Sequence, residues 1–118
     1  MISLRARRAA LAVWVAMIVV GSMLRPRTIA SVMPHFHHAD LLLHAGGYAI
    51  LGLLAVWAWP GQGRLRMATG VVLFGVLIEL IQPITGRTTS GGDALANPVG
   101  VAGGLLAEWL VRRARRGR

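Results

Sequence analysis

Asp40 and His44 stand four residues apart, so a helix would carry both on one face, and Tyr48 continues along it. Glu79 and Gln82 repeat the pattern at a spacing of three, and Asp93 and Asn97 at a spacing of four. Arg87 lies between these last two sets. Acid, imidazole, amide and guanidinium together suit two kinds of chemistry. The basic groups and the amide could hold a phosphate or a peptidyl headgroup. Alternatively, Asp40 could orient His44 as a general base, with Glu79 as acid and Arg87 stabilising negative charge. A purely structural role is the plain alternative. Asp40 and Asn97 could cap helix starts, Arg87 could neutralise an acid, and Gln82 could bridge helices.

The elements that must position these groups are membrane spans. Of 118 residues, 55% are hydrophobic and only 14% charged, and the mean hydropathy is +0.60. Water-soluble domains are nearer a quarter charged, and disordered chains need low hydrophobicity. A spanning helix takes about 20 residues, so four fit this length and five do not. The expected architecture is all-α, one domain over residues 1–118 forming a four-transmembrane-helix bundle. The expected spans are about Ala9–Leu24, Asp40–Trp59, Leu65–Ile84 and Asp93–Val111. The first resembles a signal peptide, with Thr28-Ile29-Ala30 as a weak cleavage site. Arg25, Pro26 and Arg27 before that site favour a retained helix.

All 13 basic residues are arginines, and the net charge is +9. They cluster beside apolar runs, which reads as a topology signal rather than a nucleic-acid stripe, and no nucleic-acid partner is expected. With four spans, 10 arginines fall on the side of the termini and 3 on the other. The positive-inside rule then places both termini in the cytoplasm and the polar cluster at the outer face. Trp57, Trp59 and Trp109 at the inner ends of their spans, and Trp14 in the inner half of the first, all read as interface anchors. Cysteine is absent, so disulfides and thiolate chemistry are excluded.

At membrane depth Glu79 is the informative residue. A charged group in hydrocarbon costs about 2.5–3.5 kcal/mol on insertion scales, so Glu79 should face protein. Asp93, Asn97, Gly100 and Gly104 fall on one narrow helical stripe, and Gly100 and Gly104 suit close helix packing. A metal could use Asp40 and His44 with Glu79 as a third ligand, and His35, His37 and His38 could add donors. No second histidine lies on a span, and Asp/His pairs at this spacing also occur as simple hydrogen-bonded pairs. No metal and no cofactor are expected.

The stretch from Asp40 through His44 and Tyr48 to Gly52 resembles the first motif of the VanZ-like membrane family: an acid, a histidine four on, an aromatic and a Leu-Gly. Glu79-Leu-Ile-Gln82, then Arg87, Asp93, Asn97, Gly100 and Gly104, resembles the second. The likeness covers about residues 39–104. Pro98 after Asn97 and the lack of a lysine after Asp40 depart from the family pattern. Pro98 could open the last helix after an Asn97 cap; otherwise it kinks the span. The resemblance implies a small multi-pass protein of the bacterial cytoplasmic membrane, linked through the family's namesake to resistance to the glycopeptide teicoplanin. It implies no cofactor.

The reading adopted is a cell-envelope protein with an outward pocket for a lipid-linked or headgroup ligand. Its partners are membrane lipids and a lipid-linked cell-wall precursor; its oligomeric state is open. Two readings compete. An intramembrane enzyme would use Asp40, His44, Glu79 and Arg87, yet no nucleophile motif accompanies them, only the loop hydroxyls of Thr88 and Ser90. A proton or ion pathway through Glu79 and His44 lacks further ionisable groups until Glu108.

Overall fold

The computed structural model describes residues 1–24, 39–87 and 91–117. Arg25, Arg27, the cleavage-like Thr28–Ala30, His35, His37, His38, Thr88, Ser90 and Arg118 lie outside the described residues. The chain is all-helical: α1 (Leu4–Met23), α2 (Ala39–Ala58), α3 (Arg64–Ile81), a 3-10 turn (Gln82–Thr85) and α4 (Gly91–Arg116). Four helical segments are long and apolar enough to cross a membrane, the third including the 3-10 turn.

Two spans differ from their expected bounds for local reasons. α1 begins at Leu4 rather than Ala9 because Ser3 caps it, its hydroxyl accepting from the Ala6 amide at 3.2 Å. Arginine is a good helix former, so Arg5, Arg7 and Arg8 extend the helix instead of ending it. Its 20 residues reach about 30 Å, enough for a bilayer core without thinning. α4 begins at Gly91, two residues before Asp93, and Pro98 lies inside it. Asn97 is therefore interior and caps nothing, and Pro98 removes one backbone donor toward the Ala94 carbonyl. Asp40 likewise lies within the first turn of α2 rather than ahead of it. There, and for Asp93 on α4, a carboxylate favours the positive end of the helix dipole.

Tight turns reverse the chain between spans. Gly61 adopts φ 98° between α2 and α3, a conformation that glycine reaches without steric cost. Gly86, at φ 79°, ends the 3-10 turn, its amide bonding the Pro83 carbonyl at 3.1 Å.

Few large side chains are buried. The core is Tyr48, Leu51, Ala55, Val71 and Val101. The remaining apolar surface points outward: Val13, Met17, Val20, Leu73, Leu77, Leu80, Leu95 and Val99 are all exposed. Such a belt is a liability in water and suits hydrocarbon. Without a hydrophobic drive between helices, close backbone packing must hold the bundle. α4 supplies it against α2. A Cβ on Gly100 would meet the Ala45 carbonyl oxygen at 2.1 Å, and one on Gly104 would meet that of Ala49 at 2.7 Å. Asp93, Asn97, Gly100 and Gly104 are all buried, so the stripe faces the bundle.

The end bearing the start of α1, the end of α2, the start of α3 and the end of α4 carries most of the arginines. Arg7 stacks over Trp57 at 5.1 Å, Arg8 over Trp59 at 4.0 Å and Arg113 over Trp109 at 5.3 Å. Each pairing lets an amphipathic ring and a cation share the headgroup level. Glu108, mostly buried, joins α3 to α4 here: Arg64 Nη2 lies 3.2 Å from its Oε2, and Arg112 pairs with Oε1. Trp14 departs from the anchoring pattern. It lies midway along α1 and donates its indole N–H to the Gly47 carbonyl of α2 at 3.0 Å.

Candidate functional site

The opposite end gathers the polar groups. His44 lies on the first half of α2, and its Nδ1 is 3.4 Å from Asn97 Oδ1 on α4. Asn97 Nδ2 donates to Glu79 Oε1 on α3 at 3.2 Å. On the other side of the ring, His44 Nε2 is 3.7 Å from Asp40 Oδ1. One chain of polar contacts thus runs Asp40–His44–Asn97–Glu79 across three helices. Asn97 can sit between the other two because α4 approaches α2 at glycine. Its neighbour on α3, Gly75, has the same role: a Cβ there would meet Tyr48 Cε1 at 2.9 Å and Asn97 Nδ2 at 3.3 Å.

The other expected residues fall around this chain. Asp93 is buried one turn from Asn97, and its carboxylate belongs with Asp40 and His44: donor atoms of the three lie within 4.8 Å of one another. The acid that joins Asp40 and His44 is therefore Asp93, where the sequence suggested Glu79. Tyr48 is 3% exposed and carries its ring between α2 and α3. Its hydroxyl has no hydrogen-bond partner among the described residues. Gln82 is buried at the end of α3, and its Nε2 also lacks a partner among the described residues. Its backbone carbonyl accepts from Thr85 Oγ1 at 2.8 Å, which makes its visible role that of a turn residue.

Arg87 reaches across to α1. Its Nη1 donates to the carbonyls of Gly21 and Ser22, both at 3.3 Å. These belong to the last turn of α1, where unpaired carbonyls favour a cation. A guanidinium has five N–H donors, so this clamp leaves donors for another partner.

Asp40, His44, Tyr48 and Arg87 line a cavity of about 320 Å³ between α1 and α2. Trp14, Met17, Ile18 and Leu43 form its apolar wall. Asp40 and Arg87 lie near the helix ends, and Trp14, Met17 and Ile18 line the cavity deeper along α1. Trp14 is nine residues from the end of α1, about 13 Å along the axis. Met17 and Leu43 are 56% and 52% exposed, so the cavity opens sideways toward the lipid-facing surface. The sequence missed Trp14, Met17 and Leu43 as wall residues, because they read as ordinary span residues until α1 is laid against α2.

Glu79 lies off this cavity. Its Oε2 is buried without a hydrogen-bond partner among the described residues, so Glu79 is a support for Asn97 rather than a cavity group. No family model, curated protein or solved structure matches the chain.

Proposed function

We propose that this multi-pass membrane protein binds the headgroup and upper acyl chain of an anionic lipid, at the end of the bundle opposite its arginine belt. The carrying observation is the α1–α2 cavity: Arg87, His44 and Asp40 at one end, apolar side chains of α1 below, and a lateral opening among exposed apolar side chains. At about 320 Å³ it is large enough for a phosphate-bearing headgroup and the first carbons of a chain, not for a whole lipid. Arg87 supplies donors suited to phosphate oxygens.

The orientation follows from charge. Arg5, Arg7, Arg8, Arg64, Arg66, Arg112, Arg113, Arg115 and Arg116 belong to the arginine-rich end, while Arg87 belongs to the cavity end. By the positive-inside rule the termini are cytoplasmic and the cavity opens at the outer leaflet. The motifs around Asp40–His44 and Glu79–Asn97 support membership of the VanZ-like family. That reading places the protein in a bacterial cytoplasmic membrane, with a lipid-linked cell-wall precursor as the natural ligand and teicoplanin resistance as the phenotype to examine.

Native mass spectrometry of protein extracted from its membrane tests the reading. Wild type should retain one phosphate-bearing lipid, and Met17→Trp, which fills the apolar wall, should lose it while remaining folded. Equal retention by both proteins would overturn the assignment of this cavity.

A further inference from the structure

The contacts around His44 determine which of its nitrogens is available. Asn97 turns its amide nitrogen to Glu79, Nδ2 donating to Oε1 at 3.2 Å. Asn97 Oδ1 therefore faces His44 Nδ1 and can only accept, which puts the proton of a neutral imidazole on Nδ1. The lone pair of Nε2 then points toward Asp40 Oδ1. At 3.7 Å that gap exceeds hydrogen-bonding range. It is close to the separation of two donors on one ion: bonds of about 2.0–2.2 Å at a tetrahedral angle put them roughly 3.4 Å apart. Asp93 adds a third residue to the group: one donor atom from each of Asp40, His44 and Asp93 lies within 4.8 Å of the others.

We propose that His44 Nε2, an Asp40 oxygen and an Asp93 oxygen bind a divalent transition-metal cation of the Zn²⁺ type. One imidazole and two carboxylates are borderline and hard donors that suit Zn²⁺ or Mn²⁺ better than the thiophilic ions. Two carboxylates also cancel the charge of a dication at the membrane edge. Asn97 and Glu79 form the outer support that a ligating histidine requires: a hydrogen bond on the far nitrogen, held in turn by a carboxylate. This accounts for an acid at Glu79 that does not reach the cavity. Three protein ligands leave at least one coordination position open. Asp40 and His44 both line the α1–α2 cavity, so that position faces it and is available to water or an anionic oxygen. The site stands on these residues whether or not a lipid fills the cavity.

Metal titration of the detergent-solubilised full chain decides the matter, after chelator treatment. Co²⁺ serves as the optical probe and Zn²⁺ as its competitor. Wild type should bind one Co²⁺ per chain with ligand-field absorption in the visible, and Zn²⁺ should displace it. Asp40 is half exposed, so Asp40→Asn leaves folding intact. It and Asp93→Asn should weaken binding beyond the roughly 10–100-fold that loss of an outer-shell partner costs. Asn97→Ala should fall within that range. A variant with His35, His37 and His38 all replaced by alanine should bind as wild type does. Circular dichroism on each sample establishes that helix content is retained. Absence of stoichiometric Co²⁺ and Zn²⁺ binding by folded wild type would overturn the proposal. So would binding that survives Asp40→Asn and Asp93→Asn but disappears in the triple histidine variant.

Discussion

Gly100→Ala is the sharpest test of the packing that assembles the cluster. The added Cβ would lie 2.1 Å from the Ala45 carbonyl oxygen and 2.8 Å from both the carbonyl carbon and Cα. Ordinary contact begins at 3.4 Å, so the shortfall is about 1.3 Å, and it is against backbone that cannot rotate away. α2 and α4 must part by about that much. The His44–Asn97 contact, one turn away across the same interface, starts at 3.4 Å and would pass beyond hydrogen-bonding range. Overpacking of this kind costs about 1–3 kcal/mol, and the lost interhelical bond adds roughly 0.6 kcal/mol by the average for membrane proteins. Gly103→Ala is the control, because a Cβ there meets nothing within 4 Å. Unfolding of both variants in one detergent should show Gly100→Ala several degrees below wild type and Gly103→Ala level with it. Equal stability of the two would refute the close approach of α4 to α2.

Other perturbations separate the remaining contacts. Trp14→Phe keeps the ring but loses the indole bond to Gly47, and should cost about 0.6 kcal/mol in thermal unfolding. Glu108→Gln leaves Arg64 and Arg112 without their shared acid; both arginines are substantially exposed, so the loss should be about 1 kcal/mol and shrink at high salt. Glu79→Gln retains an acceptor for Asn97, so its melting temperature should stay near that of wild type, whereas Glu79→Leu should lower it by leaving the Asn97 amide unpaired. Reporter fusions at residues 118 and 90 should give opposite signals, with the C-terminus cytoplasmic, as the arginine asymmetry requires.

Much of the bundle was legible in the sequence because hydropathy and helical spacing are local. Four apolar runs separated by Pro and Gly marked the spans, and the period of Asp93, Asn97, Gly100 and Gly104 marked the buried stripe of α4. What depended on neighbouring helices was not legible. Spacing places Asp40 and His44 on one face but does not say whether Asp93 or Glu79 lies opposite; that depends on how far α4 closes on α2. Asn97 looked like a cap because Asn, Pro and a following apolar run imitate a helix start. The helix had already begun at Gly91, directly after Ser90, whose residue type with Asp93 three on is itself a helix-start pattern that the Asn-Pro pair outweighed. Trp14 looked like a headgroup anchor because its type favours the interface. Its indole instead found a carbonyl on α2, which only the packing of two spans can reveal.

Photo-crosslinking tests the central claim most directly: a phospholipid carrying a photoactivatable group near its phosphate, reconstituted with the full chain, followed by peptide mapping. The account predicts label on the segments that line the cavity, residues 14–22 of α1 and 40–48 of α2, and its loss in Met17→Trp. Label confined to the exposed face of α3 from Leu73 to Leu80, unchanged by Met17→Trp, would contradict it.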